Sequence, residues 1–112
     1  MNLNKVLLMG YVGQDPKITE TSSGKIASLQ LATTTKSYTT KNGVEIPERT
    51  EWHNLVMYGK LAEVAERYVS KGSPLYIEGR LKTRSYEDST KTKRWITEII
   101  VDEMQMLPKS NG

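Results

Sequence analysis

The sequence predicts an all-β fold, a small five-stranded barrel with one helix between its third and fourth strands and a protruding hairpin. Three observations support this prediction. In most segments apolar residues recur at every second position, which is typical of strands with one buried face. Between residues 61 and 69 they recur every three or four positions, which indicates a helix. The pair Asn42-Gly43 predicts a hairpin, because both central residues of such a turn need a positive φ.

The first two strands are predicted before this hairpin. The first covers residues 5–12 and ends in a turn at residues 13–16, where Pro16 disfavours helical geometry for the residue before it. The second covers residues 25–35. Its apolar positions alternate and so share one face: Ala27, Leu29 and Leu31.

The hairpin should span residues 37–50 and project from the core, because its flanks are polar. The third strand follows at residues 52–58. Gly59-Lys60 then opens the helix, and the basic residue and glycine of Lys71-Gly72 should end it. The apolar stripe of this helix consists of Leu61, Val64, Ala65 and Tyr68.

The last two strands complete the pattern. The fourth covers residues 75–86, and the fifth covers residues 94–107 with a bend near Asp102-Glu103. Five strands with one helix between the third and fourth is the order of an OB-fold barrel, whose end the helix would close. Residues 1–107 would form this one domain, and residues 108–112 would be a short disordered end.

Composition narrows the class of protein. The 112 residues suit one domain, and the absence of cysteine excludes disulfides and thiolate metal sites. No apolar run approaches the roughly 20 residues that cross a bilayer, so the expected location is the cytoplasm. His53 is the only histidine, and a hydrogen-bonded buried or subunit-contact role is expected for it. The scattered acids suggest no catalytic pair, so we expect neither an enzyme nor a cofactor nor a metal.

The charge distribution says more than the net charge of +3. Residues 71–94 contain seven basic and three acidic side chains. On the fourth strand Leu75, Ile77, Gly79, Leu81 and Thr83 are predicted to face the core. The opposite face alternates rings with charges: Tyr76, Glu78, Arg80, Lys82, Arg84 and Tyr86.

Such a face suits single-stranded nucleic acid, because exposed rings stack on unpaired bases and cations neutralise phosphates. A single tyrosine in a strand is more often structural, and Tyr11, Tyr68 and Tyr76 are interpreted so. Tyr86 differs, because it ends a strand rich in Lys and Arg. On the third strand Trp52, Asn54, Val56 and Tyr58 share one face, which adds two rings. Trp95 is open to three interpretations: core, interface or ligand surface.

Four motifs, in order, carry a resemblance to a known family. They are "NKVLLMGYVGQDP" at residues 4–16, "TEWHNLVMYGKLAE" at 50–63, "KGSPLYIEGRLKTRSY" at 71–86 and "MQML" at 104–107. Together they closely resemble the bacterial single-stranded DNA-binding protein family over nearly the whole chain. The resemblance implies an OB-fold that assembles as a homotetramer. It also implies sequence-independent, non-catalytic binding of single-stranded DNA in replication, recombination and repair, associated with the nucleoid.

The resemblance also implies particular site residues. The stacking rings of the family match Trp52, Tyr58 and Tyr86, and the ring of its hairpin region falls on Tyr38. Three of the four are tyrosine where well-known members carry Trp or Phe, so binding per site should change in strength. The resemblance also implies phosphate contacts from five basic side chains: Lys5, Lys60, Lys71, Lys82 and Arg84. Arg80 is added as a sixth, because it lies on the cationic face of the fourth strand.

The end of the chain departs from the family pattern. Family members usually carry an acidic tail with a terminal Phe, whereas this sequence stops at Gly112 and contains no Phe. We therefore expect no partner recruitment through such a tail. Three alternatives stay open at this point: a dimeric replication-restart factor with the same fold, an RNA-binding OB module, and a nuclease that uses Asp15, Glu87 or Asp88 with a metal.

Overall fold

The structure, a computed structural model, describes residues 1–108. The predicted disordered end lies outside the described residues except for Pro108. The described chain contains eight strands and one helix: β1 (Val6–Val12), β2 (Lys17–Thr21), β3 (Gly24–Thr35), β4 (Tyr38–Thr39), β5 (Glu45–Ile46), β6 (Arg49–Tyr58), α1 (Lys60–Tyr68), β7 (Pro74–Glu87) and β8 (Lys93–Met106). Each of the five predicted strands is present within two or three residues of its expected bounds, as β1, β3, β6, β7 and β8.

These five strands close into a ring. They neighbour one another in the order β1-β7-β8-β6-β3, and β1 closes the ring by pairing with β3 at Tyr11 and Val12. All neighbours run antiparallel except β6 and β8, which are parallel where Leu55 lies opposite Ile99. The predicted barrel is confirmed. Its helix α1 lies between β6 and β7, which are the third and fourth of these five strands in chain order.

The barrel interior holds the alternating apolar residues that the sequence predicted. On β3 the side chains of Ala27, Leu29 and Leu31 are buried, and on β6 those of Leu55 and Met57. Complete burial of one such large apolar side chain stabilises the fold by about 1.5–3 kcal/mol. From β7, Leu75 and Ile77 are also fully buried. The core is therefore built by one face of each strand, which leaves the other face available for function.

The helix packs on the barrel with only part of the predicted stripe: Ala65 is buried and Leu61 is partly buried against the core, whereas Tyr68 is not. The buried residues are Ala62 and Ala65, followed by Val69 directly after the helix. Small side chains let the helix approach the barrel closely, and this rotates Tyr68 outwards, where it is 59% exposed. The predicted stop was also misplaced, since α1 ends at Tyr68 and Gly72 (φ 90°) belongs to a later turn. In the described part of the chain no helix is long and apolar enough to span a membrane.

Two local details near the hairpins differ from the prediction. Strand β2, which the sequence did not predict, pairs antiparallel with β3 from Lys17 to Thr21. In the hairpin of β4 and β5 only Gly43 has a positive φ, 81°, whereas two such residues were predicted. The amide of Gly43 donates to the carbonyl of Thr40 at 3.0 Å, so the glycine is the last residue of a four-residue turn.

The ends of β7 and β8 form a two-stranded arm beyond the barrel. β6 pairs with β8 only near Ile99 and Ile100, and β1 pairs with β7 no further than Gly79. Leu81 and Thr83 lie beyond the end of β1 and are exposed, which corrects the prediction that they face the core. At the other end of β8 the register shifts by one residue at Asp102, which confirms the predicted bend.

Candidate nucleic-acid interface

One outer face of the barrel collects the predicted rings. Residues that lie opposite each other in paired strands share a face. Val56 of β6 lies opposite Ile100 of β8, which in turn lies opposite Arg80 of β7. Positions two, four and six residues along each strand follow the same side. We call this side the ring face, and it contains Trp52, Asn54, Val56, Tyr58, Arg80, Lys82, Arg84, Tyr86, Arg94, Ile96, Glu98 and Ile100.

The aromatic side chains of the ring face are open to solvent. Trp52 is 54% exposed, Tyr58 49% and Tyr86 44%. Such exposure of three large rings on one face does not serve the core, whose residues point the other way. The fourth predicted ring, Tyr38, is 56% exposed and lies on the separate hairpin of β4 and β5. The structure therefore brings three of the four predicted rings onto one surface.

The six predicted phosphate-binding cations divide into two groups. All are exposed. Within residues 1–108, Lys60, Lys71 and Lys82 make no ion pair, so their charges are available to a ligand. The other three are paired, as Lys5 with Glu78 at 3.3 Å, Arg80 with Asp102 at 2.6 Å and Arg84 with Glu98 at 2.7 Å.

Arg84 lies on the ring face, two residues before Tyr86. Its Nε donates to Oε1 of Glu98 at 2.7 Å, and the Glu98 side chain is only 10% exposed. The hydrogen bond and charge of Glu98 raise the pKa of Arg84, with smaller contributions from Tyr58 and Tyr86. A largely buried carboxylate that holds an arginine in place fixes where the positive charge sits.

A cleft with a mixed polar and apolar lining borders the middle of the ring face. Gln30 donates from Nε2 to Oδ1 of Asn54 at 3.1 Å, and this amide pair lines the cleft together with Asp15, Ile96 and Glu98. This hydrogen bond does not use Oε1 of Gln30 or the N–H groups of Asn54. These atoms can therefore form hydrogen bonds with a polar ligand. The ring face therefore combines aromatic rings, cations with and without an acidic partner, and side-chain amides.

The tip of the arm is organised by Asp88. Its Oδ1 accepts hydrogen bonds from the amides of Thr90 and Thr92 at 2.9 and 3.0 Å, and its Oδ2 accepts one from Arg94 at 3.0 Å. Hydrogen bonds from Thr90 and Arg94 lower the pKa of Asp88 to about 2. Arg94 lies opposite Tyr86 in the register, so the carboxylate also fixes the strand end that carries this ring.

This depressed pKa predicts a local acid transition. Because the folded pKa lies below the unfolded value, the carboxylate stabilises the tip above about pH 4, and the contribution is lost as the pH falls towards 2. The protection factors of the Thr90 and Thr92 amides, which are their exchange rates corrected for the pH dependence of an unstructured amide, should therefore fall over this window when measured by NMR. Asp88→Ala, which removes both acceptor oxygens, should lower these protection factors already at pH 7. A tip that stays equally protected at pH 2 and pH 7 would contradict the assignment.

Two residues that the sequence left unassigned can now be described. Nε2 of His53 lies 2.8 Å from Oγ1 of Thr33, and the ring is half-buried, which agrees with the hydrogen-bonded role expected for it. Trp95 is 65% exposed on the arm, with the ammonium of Lys93 4.9 Å from its ring centre. Trp95 lies opposite Ser85, so it occupies the side of the arm away from Tyr86.

The residues that sequence reasoning missed are the partners of the cations. Glu98 and Asp102 neutralise Arg84 and Arg80, and Gln30 joins Asn54 across the strands. Alternation along β8 already puts Glu98 on one side with Ile96, which is a weak signal. The pairing itself depends on the register between β7 and β8, which a single strand does not encode.

A closed five-stranded barrel with exposed rings and cations on one wall defines the class of OB-fold domains that bind single-stranded nucleic acid. Comparison with known proteins then identifies the family. The family model described as "Single-strand binding protein family" matches residues 3–107. The chain belongs to this family, which confirms the resemblance drawn from its motifs, the OB-fold and the class of function, binding to single-stranded DNA.

Individual relatives agree with this assignment. A "Single-stranded DNA-binding protein" of Bacteroides thetaiotaomicron is 53% identical over 108 residues, which are 96% of this chain and 67% of the relative. "Single-stranded DNA-binding protein 1" of Chlorobaculum tepidum is 47% identical over 107 residues, 94% of this chain and 65% of the relative. The chain thus spans about two thirds of the length of these relatives. A solved structure described as "Plasmodium falciparum SSB complex with ssDNA" superposes with a TM-score of 0.83 at 30% identity, covering 96% of this chain and 97% of the other.

Proposed function

We propose that this chain coats single-stranded DNA without sequence preference and without catalysis, during replication, recombination and repair in the cytoplasm at the nucleoid. One observation carries the proposal: three exposed rings share the ring face with Lys82 and Arg84. The family and the relatives' names support the choice of single-stranded DNA over RNA.

The chemistry of this face explains the lack of sequence preference. Every base has a flat π-face, so stacking on Trp52, Tyr58 and Tyr86 contributes about 1–3 kcal/mol per base whatever the base is. Tyr38 would add a fourth stacking ring from the hairpin. Phosphates would be neutralised by the cations at Lys5, Lys60, Lys71, Arg80, Lys82 and Arg84, with release of counterions from the strand.

Titration with oligo-dT tests the proposal directly. A Trp95→Phe variant leaves Trp52 as the only tryptophan, so its emission reports on the ring face alone. We expect quenching on addition of oligo-dT, because a stacked base lets the excited indole return to its ground state without emitting light. The logarithm of the binding constant should fall linearly with the logarithm of the salt concentration, by about 0.7 per phosphate neutralised.

Competition and cleavage controls distinguish binding of single-stranded DNA from the alternatives. Duplex DNA and a matched oligo-U should compete less well than oligo-dT. Preferred binding of oligo-U would favour an RNA-binding module instead. An emission that stays unquenched at low salt, with no binding by anisotropy of a labelled oligonucleotide, would refute the proposal. Intact oligonucleotide after incubation with Mg²⁺ is expected, and cleavage would favour the nuclease alternative.

Free and paired cations on one strand should behave differently. Lys82 and Arg80 share the ring face and lie two residues apart, but Asp102 already neutralises Arg80 at 2.6 Å. We expect Lys82→Gln to weaken oligo-dT binding several-fold and to reduce the salt slope by about 0.7. Arg80→Gln should reduce the slope by less. Both variants change the net charge equally, so equal slopes in the two would contradict a direct contact at Lys82.

We also propose that the chain assembles as a homotetramer, as the resemblance implies. The outer side of β1 supports self-association, because Leu7, Met9 and Tyr11 alternate along it and all are exposed. A row of three large apolar side chains is unusual on the surface of a monomer. Light scattering should give four times the chain mass of 12.7 kDa. A dimer would favour the replication-restart alternative, and a monomer would refute assembly.

A further inference from the structure

The geometry around Gly13 raises the question of why this position is glycine. Positive φ is confined to other glycines and Lys91 in the described chain, so no left-handed turn requires it. Its amide donates to the carbonyl of Gln30 at 2.9 Å, which continues the pairing of β1 with β3. Alanine would be acceptable to such a backbone. The reason for glycine must therefore lie in what surrounds it.

The neighbour of Gly13 is the indole of Trp52. A Cβ built on Gly13 would lie 2.9 Å from Cη2 and 3.3 Å from Cε3 of the indole, and closer still to Cζ3. Trp52 is two strands away on β6, opposite Ala32 of β3. The ring therefore reaches across β3, over a small side chain, and its far edge lies against the bare backbone of Gly13.

We propose that Gly13 is a positioning residue for DNA binding: its missing side chain seats the edge of the Trp52 ring and sets the pose in which the ring stacks on a base. This inference rests on the proposed function for its consequence, but the seat itself exists in the free protein. Since the Trp52 residue as a whole is still 54% exposed, the seated indole remains available to a base.

The segment around Gly13 is held on both sides, so it cannot yield to a larger side chain. At Gly13 itself, the amide is bound to Gln30 as described. Two residues later, Oδ1 of Asp15 accepts the amide of Lys71 at 2.8 Å. The indole, by contrast, can rotate about its side-chain bonds. A methyl group at residue 13 would therefore displace the ring and leave the backbone in place.

Gly13→Ala, made in the Trp95→Phe background, tests the seat in the absence of DNA. We expect the near-ultraviolet circular dichroism and the emission maximum of Trp52 to change, while the far-ultraviolet spectrum stays that of the parent. Oligo-dT affinity should fall about five- to tenfold. Unchanged ring signals in the free protein would overturn the inference, whereas a parent that fails to bind oligo-dT would overturn only the proposed function.

A double-mutant cycle separates the seat from a general structural role. In a Trp52→Ala background, Gly13→Ala should cost no further affinity and no thermal stability, because the ring that it displaces is absent. Equal losses with and without the ring, in affinity or in melting temperature, would overturn the inference. This comparison remains decisive if Gly13→Ala alone unfolds the protein, since the ring-free partner should then fold normally.

Discussion

Trp52→Ala is expected to weaken oligo-dT binding by about fivefold to more than a hundredfold, the largest effect of any single change on the ring face. The estimate follows from the roughly 1–3 kcal/mol that base stacking contributes, at 1.4 kcal/mol per factor of ten. Trp52 is 54% exposed, so the free energy of unfolding should change by no more than about 1 kcal/mol. Anisotropy of a labelled oligonucleotide and urea unfolding measure the two quantities.

A second substitution and a second tryptophan provide the controls. Trp52→Phe keeps a flat ring, although a smaller one, and should retain most of the affinity. Trp95→Ala removes an indole that is even more exposed, at 65%, but lies on the side of the arm away from Tyr86. It should leave affinity nearly unchanged. If alanine and phenylalanine at position 52 cost the same, or if Trp95→Ala costs as much as Trp52→Ala, stacking on Trp52 is not the source of affinity.

The strands of the barrel could be predicted because alternation is a local property. Ala27, Leu29 and Leu31 alternate with polar neighbours, and a sheet that is covered along this face buries all three. The same parity places Trp52 and Tyr58 on the face opposite to Leu55 and Met57. Membership of a face is determined by the residues of a single strand, and this explains why the exposed rings could be predicted.

The sequence of one strand does not show where its neighbouring strands end. Leu81 has the parity of the core, yet it is exposed, because β1 ends its pairing with β7 at Gly79, before reaching it. β2 was missed for a related reason. Its sequence KITET has one large apolar residue, Ile18, so its stability comes mainly from pairing with the edge of β3. Both outcomes depend on distant segments.

The site was predictable in its residue types and not in its electrostatics. A count of Lys and Arg identified the cationic stretch, but the count treats Lys82 and Arg84 alike. In the structure Glu98 pairs with Arg84 and leaves Lys82 free, although Lys82 is the residue directly opposite Glu98. The diagonal contact reflects the length and planar fork of arginine. Such a pairing requires both the register and the side-chain geometry.

Gly10→Ala is expected to cause a large loss of stability, about 2–3 kcal/mol, with a fall in melting temperature on the order of 10 °C. A Cβ on Gly10 would lie 3.0 Å from the carbonyl carbon of Ala32, 3.4 Å from Cγ of Leu31, and closer still to the carbonyl oxygen of Ala32. The Ala32 backbone is held between β1 and β6, opposite Tyr11 and Trp52 respectively, so it cannot move aside. Urea unfolding followed by circular dichroism measures the loss.

The contrast with Gly13→Ala makes this prediction specific. Both substitutions add one methyl group at the end of β1, but the first meets a carbonyl in a ladder and the second meets a side chain that can rotate. Because self-association would add stability, both variants and the parent must be compared at one protein concentration. If the free energy of unfolding of Gly10→Ala is within about 0.5 kcal/mol of the parent value, close packing between Gly10 and Ala32 does not contribute to stability as proposed. Otherwise hydrogen exchange should increase first at Tyr11 and Val12, where β1 leaves β7 for β3 and closes the barrel.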